Sequence, residues 1–264
     1  VYSGGGPPSY FGSERLKEVL TEITRRFNVS KSAEITLEAN PDSITDKGCK
    51  RLIQAGFNRI SIGVQNNNDQ ILKVLGRPHT FRQAVKAVEI ARTAGFDNLS
   101  LDLMYGLPGE TLTSWKKDLK QALSLHPEHI SAYHLIYEEG TPLWKLREQH
   151  KVEEADEDLS VSLFGTLIDE LTTAGYEHYE ISNFCLPGLH SRHNSSYWTE
   201  KQYLGCGPSA HSYNGISRQW NVASLDKYIE GISSGNPTFE VEELDLYTRY
   251  NDFVITSLRT QWGM

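Results

Sequence analysis

One unit recurs along this chain: a stretch with apolar residues at helical spacing, then Ala-Gly-aromatic, then a short strand-like run. It stands at Ala55-Gly56-Phe57, Ala94-Gly95-Phe96 and Ala174-Gly175-Tyr176. A glycine there accepts the left-handed backbone that stops a helix, and the aromatic residue leads into a strand. The spacing predicts helices over about 13 to 27, 46 to 55, 80 to 93, 112 to 124 and 157 to 173, with strands near 34 to 38, 59 to 64, 98 to 103, 129 to 135 and 177 to 182. The first helix is expected to take Ser13 as N-cap and to carry Leu16, Val19, Leu20, Ile23 and Phe27 on one face. Leu163, Phe164, Leu167, Ile168 and Leu171 form the stripe of the helix over 157 to 173. Strands and helices that alternate over short links specify an α/β fold, a parallel sheet covered by helices with right-handed crossovers.

Three of the strand-like runs end on a polar residue: Glu38, Gln65 and Asp102. In a parallel barrel the carboxyl ends of the strands carry the chemistry, so the pattern points to a ligand site at the mouth. Arg77 follows on a loop, with a planar fork suited to a carboxylate. Gly4-Gly5-Gly6 closes the opening strand, where bare backbone lets a ligand approach. Past about residue 183 the chain turns rich in Gly, Pro, Ser, His and aromatic residues and reads as a long structured loop, followed by helices near 225 to 234 and from about 244. Cys49, Cys185 and Cys206 lie far apart without a CxxC grouping, so they read as neither a disulfide framework nor a cluster loop. A net charge of -8, from 26 Lys and Arg against 34 Asp and Glu, argues against a nucleic-acid partner. No apolar run approaches the ~20 residues that span a bilayer, and nothing at the start reads as an export signal, so a cytoplasmic location is expected.

Taken in order, the motifs Gly-Gly-Gly-x-Pro, Leu-Glu-Ala-Asn-Pro, Ile-Gly-Val-Gln, Leu-Gly-Arg, Leu-Asp-Leu-Met-Tyr-Gly-Leu-Pro-Gly, Ile-Ser-Ala-Tyr and Glu-Ile-Ser-Asn-Phe resemble the radical S-adenosylmethionine (SAM) family of oxygen-independent coproporphyrinogen III oxidases, in particular its haem-chaperone branch. The resemblance implies an incomplete TIM-type barrel of parallel strands with outer helices, lacking its first strand here, plus a loop-rich and helical C-terminal extension. It divides the chain into a partial barrel over 1 to 182, a loop-rich, haem- or porphyrin-associated region over 183 to 235, and the start of a helical domain over 236 to 264. The matching cofactor contacts are Gly5, Gly6, Glu38, Gln65, Arg77, Asp102 and Ile136, the last able only to pack against SAM. Arg192-His193-Asn194-Ser195-Ser196-Tyr197 matches the branch's His-Asn-x-x-Tyr motif and implies haem binding through His193 and Tyr197. His190 is a further metal candidate beside it, and the glycine-rich run from Tyr203 to Ser212 is expected to support this region by close backbone packing.

The family holds a 4Fe-4S cluster on a CxxxCxxC loop before the glycine triplet, and those cysteines are absent from this sequence. Both ends read as cut, which leaves two expectations: the cluster loop stands upstream of this sequence, or the chain cannot carry out radical chemistry. Pro7 stands where the family carries Thr and removes a backbone donor. Two classes of function follow: a haem chaperone that hands haem to an acceptor protein, or an enzyme that oxidatively decarboxylates coproporphyrinogen III. A remoter reading makes Glu38 and Asp102 the acid-base pair of a barrel hydrolase.

Overall fold

The computed structural model describes residues 1–6 and 8–263, so Pro7 lies outside the described residues. The chain forms two compact units, Val1–His190 and Ser191–Met264. In the first, the elements run β1 (Tyr2–Ser3), α1 (Ser13–Arg26), β2 (Thr36–Ala39), α2 (Asp46–Ala55), β3 (Arg59–Gln65), α3 (Asp69–Val74), α4 (Phe81–Ala94), β4 (Leu99–Tyr105), α5 (Leu112–Leu123), β5 (His129–His134), α6 (Pro142–Glu148), α7 (Glu157–Thr173), β6 (Glu177–Glu180) and β7 (Asn183–Cys185). Gly56 and Gly95, both at φ 109, stop α2 and α4 as their position after alanine requires. Threonines start α2, α4 and α5, where the Thr45, Thr80 and Thr111 side chains accept from backbone N–H groups of the first turn. In α1 the N-cap is Gly12 rather than Ser13, with no side-chain cap. Its buried stripe is also narrower than the sequence suggests: Leu16 and Leu20 are buried, whereas Val19 and Phe27 face solvent.

The strands form one open sheet in the order β1-β2-β3-β4-β5-β7-β6. Strands β1 to β5 are parallel. The expectation of parallel strands throughout is corrected at the far edge, where β7 inserts between β5 and β6 and runs antiparallel to both. A tight turn from β6 into β7 leaves no crossover helix, so the chain must reverse. The expected boundary at 182/183 therefore falls inside this hairpin, and 183 to 190 folds with the sheet.

Alternation along the strands sorts the sheet into two unlike faces. Leu37, Ile60, Ile62, Leu99, Leu101, Leu103 and Ile130 pack under the helices with Leu52, Val88, Trp115, Leu119, Leu163 and Leu167. The other face carries Thr36, Glu38, Arg59, Ser61, Ser100, Asp102, His129 and Ser131, which share register across the ladder. The second unit contains α8 (Arg192–Trp198), β8 (His211–Tyr213), β9 (Ser217–Asn221), α9 (Leu225–Ser234), β10 (Phe239–Glu243) and α10 (Leu246–Ser257). Its strands form an antiparallel sheet in the order β10-β9-β8. The loop-rich reading of this stretch and the boundary near 235 are corrected by that sheet, because β10 pairs back to β9 across it. No helix of the described residues is long and apolar enough to cross a membrane.

The narrowed stripe of α1 is open to test by urea denaturation. Leu20→Ala should lower stability by ~2–4 kcal/mol through an uncollapsed cavity, while Val19→Ser should change it by no more than about 0.5 kcal/mol.

Candidate functional site

The polar face becomes a site at the carboxyl ends of β2, β3 and β4. Glu38 leaves β2 toward the glycine loop: Gly5 N–H donates to its Oε2 at 3.2 Å, and the Tyr2 hydroxyl donates to its Oε1. Gly5 and Gly6 have φ of 83 and 105, a backbone that favours glycine, and the loop they form is exposed. One strand over, Glu38 is in register with Ser61, whose Oγ donates to Asp102 Oδ1 at 2.9 Å. Burial pushes the Asp102 carboxyl up to about 6; the Ser61 hydrogen bond opposes the rise and the charge of Glu38 adds to it. Ser131, in register with Asp102 on β5, also opposes the rise.

Gln65 reaches the site through an irregularity. The β3 ladder slips between Gly63 and Gln65, and Gln65 itself takes φ 66. A left-handed glutamine is unfavourable unless its surroundings enforce it, and such residues cluster at functional sites. The slip turns its amide back over Gly63: a Cβ at position 63 would lie 2.9 Å from Gln65 Nε2 and 3.0 Å from Arg77 Nη2. A side chain at 63 would have to displace the ends of both groups. Arg77 arrives from the loop after α3, donates from Nη2 to Asn40 Oδ1 at 2.6 Å, and keeps a buried Nε with no hydrogen-bond partner among the described residues. Burial pulls its guanidinium below the ordinary value, against the attraction of Asp42 and Asp102.

The structure thus brings Gly5, Glu38, Gln65, Arg77 and Asp102 to one end of one face. Ile136 lies in the segment after β5 and is 80 % exposed. Sequence reading passed over Tyr2, Asn40, Ser61 and Ser131, although period-2 alternation alone puts Ser61 on the face of Gly63. Arg59 was also missed: it is 2 % exposed on the polar face.

In the second unit, Ser191 caps α8 by accepting from the Asn194 N–H. His193 and Tyr197 are one helical turn apart, and the Tyr197 hydroxyl lies 3.2 Å from His193 Nε2. Tyr197 meets Tyr203 edge-on at 4.9 Å, and Arg259 lies over Trp198. In the glycine-rich run the Gly207 carbonyl accepts from Asn221, and no Cβ fits at Gly205 against the backbone of His211.

The donor set suits SAM and not an iron-sulfur cluster. Carboxylates match ribose hydroxyls or an ammonium, and the buried Nε of Arg77, with no hydrogen-bond partner among the described residues, is a donor of the kind that suits a carboxylate. Of the cysteines, Cys49 is packed in the helix-side core, Cys185 is on β7 and Cys206 is in the second unit, so they form no ligand set for a cluster.

Residues 1–122 match the radical SAM superfamily. The haem chaperone HemW of Bacillus subtilis strain 168 is 35% identical over 266 residues, covering 100% of this chain and 70% of its own length. HemW of Lactococcus lactis is 37% identical over 264 residues, covering 100% of this chain and 69% of its own length. Among solved structures, the radical SAM enzyme coproporphyrinogen III oxidase (HemN) of Escherichia coli superposes with a TM-score of 0.82 at 24% identity. That match covers 98% of this chain and 62% of HemN.

Asp102 offers a test that needs no ligand. Above pH ~6 the folded wild type holds a carboxylate that water would solvate better, while below pH ~4 the group is protonated in both folded and unfolded chains. Asp102→Asn should therefore be more stable than wild type at pH 7.5, by at most about 3 kcal/mol, with the gain fading as pH falls to 4. Paired urea titrations at the two pH values measure it.

Proposed function

Because this chain belongs to the HemW family of radical SAM proteins, we propose that it binds S-adenosylmethionine on the polar face of its sheet and haem through α8, as a haem chaperone. The observation that carries the SAM half is the convergence of Glu38, Gln65, Arg77 and Asp102 at the carboxyl ends of adjacent strands. Glu38 and Asp102 take ribose hydroxyls and the ammonium, Arg77 takes the methionine carboxylate through its free Nε, and Gln65 takes a remaining polar group. The N–H of Gly5 already holds Glu38, so the glycine loop orients that carboxylate as well as presenting backbone to the nucleoside. Ile136 completes the set as an apolar contact at the rim.

Bound SAM supplies a sulfonium that a reduced 4Fe-4S cluster can cleave to a radical. The three cysteines here do not build that cluster's ligand set, and no radical step is assigned to these residues. For the haem half, His193 offers an imidazole and Tyr197 a phenol on one face of α8, already within hydrogen-bond reach of each other. The relatives named haem chaperones support this reading over the oxidase, since the likeness to HemN at 24% identity speaks to the fold alone. Delivery to an acceptor protein and a cytoplasmic setting complete the proposal.

Isothermal calorimetry tests the first half: Glu38→Gln, Arg77→Lys and Asp102→Asn should each weaken SAM binding by at least about 10-fold, or ~1.4 kcal/mol. Unchanged affinity in all three would overturn the site. For the second half, His193→Ala should shift the Soret band of bound haem and weaken binding, with Tyr197→Phe having the smaller effect. A spectrum and affinity identical to wild type in His193→Ala would remove haem from α8.

A further inference from the structure

At the end of the sheet opposite the SAM site, the polar face holds a second group of side chains that the proposed function leaves unused. Glu177 and Cys185 are register partners on the antiparallel β6-β7 ladder, so their side chains leave the same face side by side. Cys185 is fully buried. The chain then turns back, with the Leu189 N–H donating to the Leu186 carbonyl at 3.0 Å, and His190 returns to place Nε2 3.0 Å from Glu177 Oε2. The thiol, imidazole and carboxylate donors lie within 4.8 Å of one another.

Supporting groups hold this arrangement. The His190 ring stands edge-on to Tyr179 at 4.7 Å. The Tyr179 hydroxyl lies 2.7 Å from His129 Nε2, and His129 Nδ1 lies 2.8 Å from Ser100 Oγ, so the orienting chain is anchored in β4 and β5. Packed against a tyrosine held in this way, the His190 ring has little room to turn. Burial and the charge of Glu177 push the Cys185 thiol up to about 12, opposed in part by the Leu189 N–H and the charge of Arg59, so a cation must displace the thiol proton to bind there. A half-exposed contact between a carboxylate and an imidazole needs no thiol beside it. A third donor within 4.8 Å of both, on a strand fixed by its ladder, completes a set with the chemistry to hold a cation.

We infer that Glu177, Cys185 and His190 bind a divalent ion of the zinc class. One sulfur, one nitrogen and one oxygen form a mixed set that suits zinc among the first-row metals, and three protein ligands leave a fourth position for water or an incoming group. Binding releases the Cys185 thiol proton to solvent and forms the metal–sulfur, metal–nitrogen and metal–oxygen bonds without any change of oxidation state. The ion joins both strands of the terminal hairpin to the residue that directly precedes the cap of α8 in the chain. It is separate from the SAM site and does not depend on it.

Cobalt is the probe. Titrating the metal-free full chain with Co²⁺ under anaerobic conditions should raise a thiolate-to-cobalt charge-transfer band that saturates at one equivalent and is displaced by Zn²⁺. Cys185→Ser should abolish the band, and Cys206→Ala should leave it unchanged. Glu177→Gln and His190→Gln alter partly exposed side chains, so circular dichroism should stay that of wild type while Zn²⁺ affinity falls by at least about 10-fold in each. A band that survives Cys185→Ser, or Zn²⁺ affinity unchanged in both Glu177→Gln and His190→Gln, would overturn the assignment.

Discussion

A sheet that is apolar on one side and ionisable on the other must keep charge in a place water reaches poorly. The helices take the Leu, Ile and Val side of β2 to β5, which leaves Glu38, Arg59 and Asp102 together on the opposite face. Charges removed from water destabilise a fold unless they are hydrogen-bonded or paired. Tyr2, Gly5, Ser61 and Ser131 supply part of that compensation, and the carboxyl of Asp102 still rises to about 6. A face that remains this unfavourable without a ligand is suited to one that is cationic and rich in hydroxyls. The sulfonium nucleoside proposed here is such a ligand.

The backbone is bent to the same end. A slipped ladder and a left-handed Gln65 are stabilising in no local sense, yet they swing an amide over Gly63 and beside Arg77. The glycine loop after β1 likewise takes conformations closed to most residues and presents its N–H to Glu38. Local strain and an incompletely paired arginine meet at one point, as expected where structure is subordinated to binding. At the other end of the sheet the β6-β7 hairpin replaces a crossover helix, and that replacement sets Glu177 beside Cys185.

Much of this was legible in the sequence. Local signals did the work: Ala-Gly-aromatic stops set the helix ends, and polar residues closing apolar runs marked Glu38, Gln65 and Asp102. An ordered series of motifs then tied them to one family, and the relatives place the chain in it. Long-range pairings were the part that could not be read. Nothing local to Asn183-Phe184-Cys185 says that it will slide between β5 and β6, and β9 finds β10 only across an intervening helix. The short helix over His193 was also hidden, because Asn and Ser in its middle are poor helix formers and the cap at Ser191 does much of the specifying. Arg59 was missed for a different reason: an arginine at the start of a strand reads as solvent-facing until the register shows which face it takes.

The central claim is that the polar face grips a sulfonium nucleoside at the carboxyl ends of β2 to β4. A crystal structure of the protein with S-adenosylhomocysteine, the thioether analogue that keeps the ribose, ammonium and carboxylate of SAM, addresses it directly. The account predicts ligand density on the polar face within hydrogen-bond distance of Glu38, Arg77 and Asp102. Density on the helix side of the sheet, or confined to the second unit, would contradict it.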